Sequence, residues 1–318
     1  MIFELHGKDS ETLNKRVLTW QLHDSSGDKA DRCSVTLDAQ DLEVMPASET
    51  EYNIVINGEN RGKFQISTVT EMLHPEEVTI QLTPAKFSVK DPTGWREPRK
   101  RTFPPATVGD VVNAVMLPHG YEVRIDPNLA SRKTEHLNQN EETDKQFISR
   151  LADKHDAVAK PIDDLFVFGQ KGNINALSGK KKKPVIISKV ELMKKTGKVD
   201  YPSNNRYKGA KASWRVAETG ANGEIKIGSE PFYFLKQTFK TEAEATQEAE
   251  DKLQSMTRKG QTFSGSIEGK AGFFAESVLT LEGFNNKRVT GAWSVDEVTL
   301  SGSRTSYKIQ VTASRPRG

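Results

Sequence analysis

The sequence matches itself at a constant offset of 229 positions, and this internal repeat constrains the fold more than any other feature. The first copy comprises Gly62, Phe64, Ile66, Val69, Thr70, Val78, Ile80, Gln81 and Leu82, and the second comprises Gly291, Trp293, Val295, Val298, Thr299, Tyr307, Ile309, Gln310 and Val311. The spacing stays constant across the loop between the strands, which favours a true repeat. The alternative explanation is that alternating strands resemble one another by chance. A true repeat predicts two similar hairpin units per chain, so a ring of three chains would present six such units around its axis.

Alternating strands are also predicted before the first copy of the repeat. Residues 17–23 and 33–38 alternate apolar and polar side chains on either side of a turn-like segment, which predicts an antiparallel pair. The buried face of the first strand is expected to carry Leu18, Trp20 and Leu22. Asn57 and Gly58 form a strong two-residue hairpin signal, because both tolerate the positive φ that such turns require. Hairpin-linked strands of this kind are typical of a small sandwich or barrel.

The middle of the chain predicts an α+β section. Residues 91–107 interrupt the alternation with four prolines and a cluster of Arg and Lys, as a linker or a domain boundary does. Helices are predicted at about 107–117 and 143–155, and strands at 121–125, 157–160 and 165–168. The second helix is expected to bury the stripe Phe147, Ile148, Leu151 and Ala152.

The last section returns to strands around one helix, predicted at about 241–259. Thr241 and Glu244 predict a capping box at its start, and Gly260 is expected to end it. The whole chain is therefore predicted to be mainly β with an α+β middle section. The predicted domains are a first β domain at 1–92, the α+β domain at 93–175, and a second β domain at 176–318 that contains the helix.

Charge and composition exclude several classes of protein. The 46 Lys and Arg residues nearly balance 43 Asp and Glu residues, so no global field marks a dedicated nucleic-acid or membrane-surface binder. Cys33 is the single cysteine, which excludes an intrachain disulfide framework and, with six scattered histidines, leaves no ligand set for structural zinc. No apolar run exceeds four residues, so we expect neither a membrane-spanning segment nor a secretory leader. The 35% hydrophobic fraction is low, which indicates much polar surface or burial against partner chains.

No catalytic constellation with a specific spacing is found in the sequence. The histidines, at positions 6, 23, 74, 119, 136 and 155, include no HxxxH or HExxH pair. The adjacent carboxylates, Glu141 with Glu142 and Asp163 with Asp164, are interpreted as exposed turn or helix-cap residues rather than as acid and base. The sequence therefore predicts no catalytic residue, no metal ligand and no cofactor-binding residue, and so no cofactor.

One basic run leaves two interpretations open. It consists of Lys180, Lys181, Lys182 and Lys183. Four adjacent cations could hold several phosphates, but a solvated loop between two sections is the interpretation that we favour. The run and the basic segment 96–101 together support one alternative hypothesis, a nucleic-acid-binding module whose affinity would fall steeply with salt.

Residues 141–168 carry the most specific motif of the chain. Its positions are Glu142, Thr143, Asp144, Phe147, Ile148, Arg150, Leu151 and Ala152, followed by a short strand. This pattern resembles the late-control D family, the baseplate hub proteins of contractile-tailed phages and tail-like bacteriocins, in which Ser replaces the Thr and Leu the Ile. The likeness extends to most of the chain, including 16–39, 62–69, 207–214 and 291–298. The stretch after Trp214 is shorter than in some members, and 275–284 lacks their Pro-Gly.

The resemblance implies a structural protein of the virion tail baseplate, assembled in the cytoplasm of the bacterial host. It implies a homotrimer in which two tube-like antiparallel β-barrel domains per chain form a pseudo-sixfold ring. This ring would join the sixfold tail tube protein to a threefold central spike protein, end the channel at the tape-measure protein, contact other baseplate proteins, and meet nucleic acid only as DNA passing through the lumen. We expect no enzymatic activity, and the alternative from the enzyme class is a tail-associated peptidoglycan hydrolase.

Overall fold

The computed structural model describes residues 1–27, 31–42, 45–84, 94–95, 97–162, 165–171, 184–202 and 207–315. In the described residues, the first section of the chain contains six strands and one helix. They are β1 (Phe3–Gly7), α1 (Ser10–Arg16), β2 (Val17–Ser25), β3 (Arg32–Asp38), β4 (Glu51–Ile56), β5 (Glu59–Leu73) and β6 (Glu76–Pro84).

The middle section mixes short strands with helices, as its sequence predicts. Its elements are β7 (Arg99–Phe103), β8 (Ala106–Thr107), α2 (Val108–Met116), a 3-10 turn (Leu117–His119), β9 (Glu122–Ile125), α3 (Pro127–Ala130), β10 (Lys133–Thr134), β11 (Leu137–Glu142), α4 (Asp144–Lys154), β12 (Ala157–Ile162) and β13 (Leu165–Gln170). Helices α2 and α4 begin at complete capping boxes, in which Thr107 and Thr143 each exchange two hydrogen bonds with the residue three positions on. The stripe predicted for the second helix is buried in the core of this section.

Among its described residues, the last section holds nine strands, which belong to two different sheets, and one helix. They are β14 (Val185–Ser188), β15 (Lys198–Asp200), β16 (Lys208–Arg215), β17 (Asn222–Ser229), β18 (Phe232–Phe239), α5 (Glu242–Lys259), β19 (Thr262–Glu268), β20 (Val278–Glu282), β21 (Gly291–Gly302) and β22 (Tyr307–Ser314). Strands β16 to β18 form a separate sheet, whereas β14, β15 and β19 to β22 belong to the largest sheet of the protein.

Two units with the same strand order make up this largest sheet. The order is β1-β4-β5-β6-β3-β2 in the first unit and β14-β20-β21-β22-β19-β15 in the second. The repeated hairpins are β5–β6 and β21–β22, so the structure confirms the internal repeat. Strand β2 also pairs with the C-terminal half of β21, which joins the units into one sheet of 12 strands. The predicted antiparallel strands are therefore present, and closure of each unit into a barrel stays a prediction.

One continuous apolar core lies under both units. It includes Phe3 and Trp20 of the first unit, whose rings stack with centroids 5.0 Å apart, and Trp293 and Phe263 of the second. Because the two apolar faces share one core, the sheet positions the two units relative to each other by burial as well as by hydrogen bonds.

Leu18 does not lie on the buried face of β2, contrary to the prediction from alternation. The register between β2 and β3 shifts between Val17 and Thr19, so Leu18 is the extra residue of a β-bulge. Val17 takes the inward position instead, and Leu18 is 40% exposed. A single inserted residue reverses the alternation on one side of the bulge, which the sequence pattern alone does not reveal.

Residues 207–260 form a small unit of their own between β15 and β19. The sheet β17-β16-β18 packs against α5 around a core that contains Ala210, Ala212, Phe239, Ala245 and Ala249. The predicted helix is confirmed, but its capping box is only half formed: Thr241 accepts from the Glu244 N–H, while the Glu244 carboxylate accepts from the Lys240 N–H. The segment predicted as one second β domain thus contains this inserted unit, and the domain limits stay predictions.

Candidate assembly interface

Asp144, the acidic residue of the recognised motif, is a buried anchor at the start of α4. Its carboxylate accepts hydrogen bonds from His119 Nε2 at 2.8 Å, from Gln139 Nε2 at 2.8 Å and from Arg101. Burial alone raises the pKa of Asp144, but these hydrogen bonds and the nearby arginines hold it below its usual value. The motif therefore encodes a structural contact inside the middle section.

Two arginines of the basic segment 96–101 contact this anchor. Arg101 and Arg99 both direct their guanidinium groups at Asp144, and Lys100 Nζ lies 2.9 Å from the Glu141 carboxylate. Because these three cations already have carboxylate partners within the chain, they offer little free charge to a phosphate backbone. The four lysines at 180–183, the pair Asp163 and Asp164, and Arg96 lie outside the described residues.

The other carboxylates that the sequence singled out also have structural partners. Glu141 pairs with Lys100, and Glu142 lies 3.0 Å from the Arg150 guanidinium. Within the residues that the structure describes, no three His, Cys, Asp or Glu side chains are grouped as metal ligands. No helix in this part of the chain is long and apolar enough to cross a membrane.

Lys160 connects the middle section to both units of the large sheet. Its ammonium lies 3.3 Å from Asp24 Oδ1 of the first unit and 3.3 Å from Glu276 Oε1 of the second, and it donates to the Ser25 carbonyl. The Lys160 side chain is 8% exposed, so burial lowers its pKa, but the surrounding carboxylates raise the pKa well above the usual value. Nothing in the sequence distinguishes this lysine from exposed ones, because its partners lie more than a hundred residues away.

The small unit docks on the middle section through charged pairs. Arg132 binds Asp251 of α5, Lys154 lies 3.8 Å from Glu248, and Lys240 pairs with Glu135. These contacts hold the inserted unit and the middle section together.

The face of the large sheet opposite the core is polar, and hydroxyl and amide side chains predominate on its central strands, beside His23, Glu297 and Lys308. Some of these groups bond across neighbouring strands: Gln81 Nε2 donates to Ser34 Oγ at 3.0 Å, and the Thr36 and Thr79 hydroxyls are 3.1 Å apart. The rows continue across the β2–β21 pairing into the second unit. Members of this polar face on the central strands are Thr19, Gln21, Ser34, Thr36, Thr79, Gln81, Thr299, Ser301, Ser264, Ser266, Gln310 and Thr312.

Two edges of the large sheet are closed by side chains. On β1, the Asn14 amide both donates to the Leu5 carbonyl and accepts from the Leu5 N–H, each at 2.9 Å. On β14, Glu191 accepts from the Ser188 N–H at 2.8 Å and Lys270 donates to the Ile186 carbonyl at 3.0 Å. These bonds occupy backbone groups that would otherwise be available to another strand.

Two other edges of the sheet have no strand partner among the described residues. No backbone hydrogen bond from any described residue reaches the outer edge of β5 over residues 67–73, or the outer edge of β15. The open part of β5 ends in Met72 and Leu73, whose exposed fractions are 56% and 83%. The matching half of β21, residues 297–302, is instead covered by β2. The same position in the repeat is therefore paired in one unit and unpaired in the other.

Comparisons with known proteins agree with the family resemblance. The chain is 23% identical to a probable baseplate hub protein of Escherichia phage P2 over 358 aligned positions, which cover 95% of this chain and 90% of the relative. It is 20% identical to the corresponding protein of Escherichia phage 186, with coverage of 96% and 90%. No protein-family model matches the chain.

Solved structures share the fold over almost the whole chain. A tail protein from Neisseria meningitidis MC58 matches with a TM-score of 0.70 at 11% identity, covering 99% of this chain and 96% of that one. An E. coli component of the type VI secretion system, described as similar to bacteriophage T4 tail proteins, matches with a TM-score of 0.58 at 12% identity, covering 95% and 74%. The resemblance to baseplate hub proteins is confirmed, and the names of the relatives support a role at the baseplate of a phage tail.

Proposed function

We propose that three copies of this chain form a ring that joins a sixfold tail tube to a threefold central spike in a contractile tail. The observation that carries the proposal is the pair of units with identical strand order, joined side by side into one sheet within a single chain. Three such chains present six similar units to a tube and three identical chains to a spike. The role is structural, so no residue is assigned a catalytic function.

The polar face of the large sheet suits the inner wall of such a ring. Hydroxyl and amide groups predominate in its central rows, and some of them bond across strands to one another or, in the case of Thr299, to His23. A wall of this kind offers neither a large apolar patch nor a continuous row of cations to a passing polymer. We assign the end of the tape-measure protein and the passing DNA to this side.

The middle section and the small unit provide the outer contacts of the ring. They are linked to each other by charged pairs and to the large sheet by Lys160. Other baseplate proteins would contact this outer layer, and a separate spike protein would bind on the threefold axis. Structural neighbours that include a type VI secretion component support a spike partner.

The molar mass in solution tests the proposal. We expect light scattering to give three copies of the 35.4 kDa chain, about 106 kDa, either for the purified protein or after addition of the purified spike protein of the same particle. A protein that stays monomeric up to high concentration and also ignores the spike would contradict the ring.

A further inference from the structure

We propose that neighbouring copies join by strand pairing, with the open edge of β15 in one copy added antiparallel to the open edge of β5 in the next. This inference rests on the proposed ring, and it assigns the strands, the direction and the register of the contact. The chain supplies the template, because the same kind of pairing already joins its own two units at β2 and β21.

The internal repeat fixes the β5 side of the register. At an offset of 229 positions, Thr68, Val69 and Thr70 correspond to Glu297, Val298 and Thr299. In the internal junction, these three residues of β21 lie opposite Ser25, Asp24 and His23 of β2. A strand that fills the open edge of β5 in the same way would therefore place its residues opposite Thr68, Val69 and Thr70.

The β15 side of the register follows from the pairing of β15 with β19. Ser266 of β19 lies opposite Gln310, just as Ser34 of β3 lies opposite the matching residue Gln81, so β3 and β19 are equivalent. Strand β15 lies along the edge of β19 that corresponds to the edge of β3 on which β2 lies. In this alignment, Lys198, Val199 and Asp200 take the places of His23, Asp24 and Ser25.

Combining the two alignments gives one register for the contact between copies. Lys198 lies opposite Thr70, Val199 opposite Val69, and Asp200 opposite Thr68. The faces agree with this register: Thr70 and Lys198 both share a face with polar neighbours, while Val69 and Val199 both pack against the apolar core. A shift by one residue would direct valines to the polar face, so the alternation of side chains disfavours such a shift.

Charge at the two edges is complementary. Lys194, Lys195 and Lys198 are exposed at and just before β15, while Glu71 and Glu76 are exposed along and just after the open part of β5. In the antiparallel register, the lysines that precede β15 run toward the glutamates at the far end of β5. Opposite charges on paired edges favour the contact between different copies and disfavour pairing of two β15 edges.

Cysteine cross-linking in the full-length protein tests the register. The native chain has one cysteine, Cys33, which is buried, so cross-links are expected to form only between the introduced thiols. The variant carries Thr70→Cys and Lys198→Cys, since residues directly opposite across strands fall within the distance that a disulfide requires. The matched control combines His6→Cys, on the closed edge of β1, with Lys198→Cys. Each single-cysteine variant is first checked by light scattering for the mass of the unmodified protein.

We expect mild oxidation of the Thr70→Cys/Lys198→Cys protein to give covalent dimers and trimers on a non-reducing gel, and the control to stay monomeric. If the unmodified protein is trimeric but this variant gives no cross-link, the strand register is overturned while the ring stands. If light scattering shows only monomers with and without the spike, and no cross-link forms, the ring itself fails. A ladder that extends beyond three copies would support the strand pairing and overturn the three-copy ring.

Discussion

The two units of the large sheet share a strand order but differ at the strand that ends it. In the first unit this strand is β2, nine residues long, which is paired along both edges, to β3 and to β21. In the second unit it is β15, only three residues long, which pairs with β19 and has no described strand on its outer edge. The comparison shows that the strand order is the same in both units, while the length of the last strand decides which edges lack a partner among the described residues.

The largest effect is expected where the units meet. Lys160→Met should destabilise the protein by about 3–5 kcal/mol, because it leaves Asp24 and Glu276, one from each unit, without their buried counter-charge. Urea denaturation measures this change. The control is Lys226→Met on the exposed side of the small unit, which should change stability by less than about 0.5 kcal/mol. Equal effects of the two substitutions would show that Lys160 does not hold the units together.

Arg61 of the first unit and Thr290 of the second occupy equivalent positions in the repeat but make different contacts, and a smaller effect on stability is expected here. The Arg61 side chain is buried, donates to the Phe273 carbonyl of the other unit at 2.7 Å and pairs with Glu59 at 2.8 Å. The Thr290 hydroxyl instead donates to the nearby Lys287 carbonyl. Arg61→Ala should cost about 1–3 kcal/mol of unfolding free energy. Thr290→Ala should change it by less than about 0.5 kcal/mol. Thermal denaturation of both variants checks this asymmetry, and a reversed order would contradict it.

Asp31 gives the junction a pH dependence that the second unit lacks, since Phe263 stands at the equivalent place. Burial, opposed by the charge of Lys160, raises the pKa of Asp31 from its usual value to about 7. Between about pH 4 and pH 7 the folded state therefore holds a proton that the unfolded state has lost, so stability falls as the pH rises through this window.

The variant Asp31→Asn should remove this part of the slope. Relative to the variant, the native protein is expected to lose on the order of 1–2 kcal/mol between pH 5 and pH 8. Urea titrations at several pH values measure the difference, and a constant difference across this range would show that Asp31 titrates normally in the fold.

The smallest expected effect concerns the open edge itself. Glu71 occupies the position that Leu300 holds in the second unit, so a charge marks the edge that remains unpaired. Glu71→Lys should weaken association between copies by about 0.2–1 kcal/mol, because it faces the lysines near β15. Dilution series followed by light scattering at low salt measure this shift. Glu218→Lys, with the same change in charge at another exposed position, should leave association unchanged, and added salt should remove the effect of Glu71→Lys.

Local patterns in the sequence predicted most of the elements. The turn at Asn57 and Gly58 forms between β4 and β5 with positive φ at both residues, and the three main helices lie within about two residues of their predicted bounds. Such features depend on neighbours in the chain, so periodicity, capping and turn residues are enough to find them.

The features that the sequence did not reveal depend on distant partners. The bulge at Leu18 arises from the pairing of β2 with β3, and residues 207–260 form a separate unit whose strands pair with one another in a sheet of their own. The contacts of Lys160 and the open edges of β5 and β15 likewise exist only once the two units are side by side. A pattern of apolar and polar residues contains no signal for which of several similar strands will be neighbours.

The junction between β2 and β21 also bears on how quickly a ring could assemble. In a closed ring of six units, this junction supplies three of the six contacts during folding of the separate chains. These contacts form at the high effective concentration of segments tied to one polypeptide and cost no translational freedom on association. Three chains then need only two encounters between molecules, after which the third contact closes the ring within the complex.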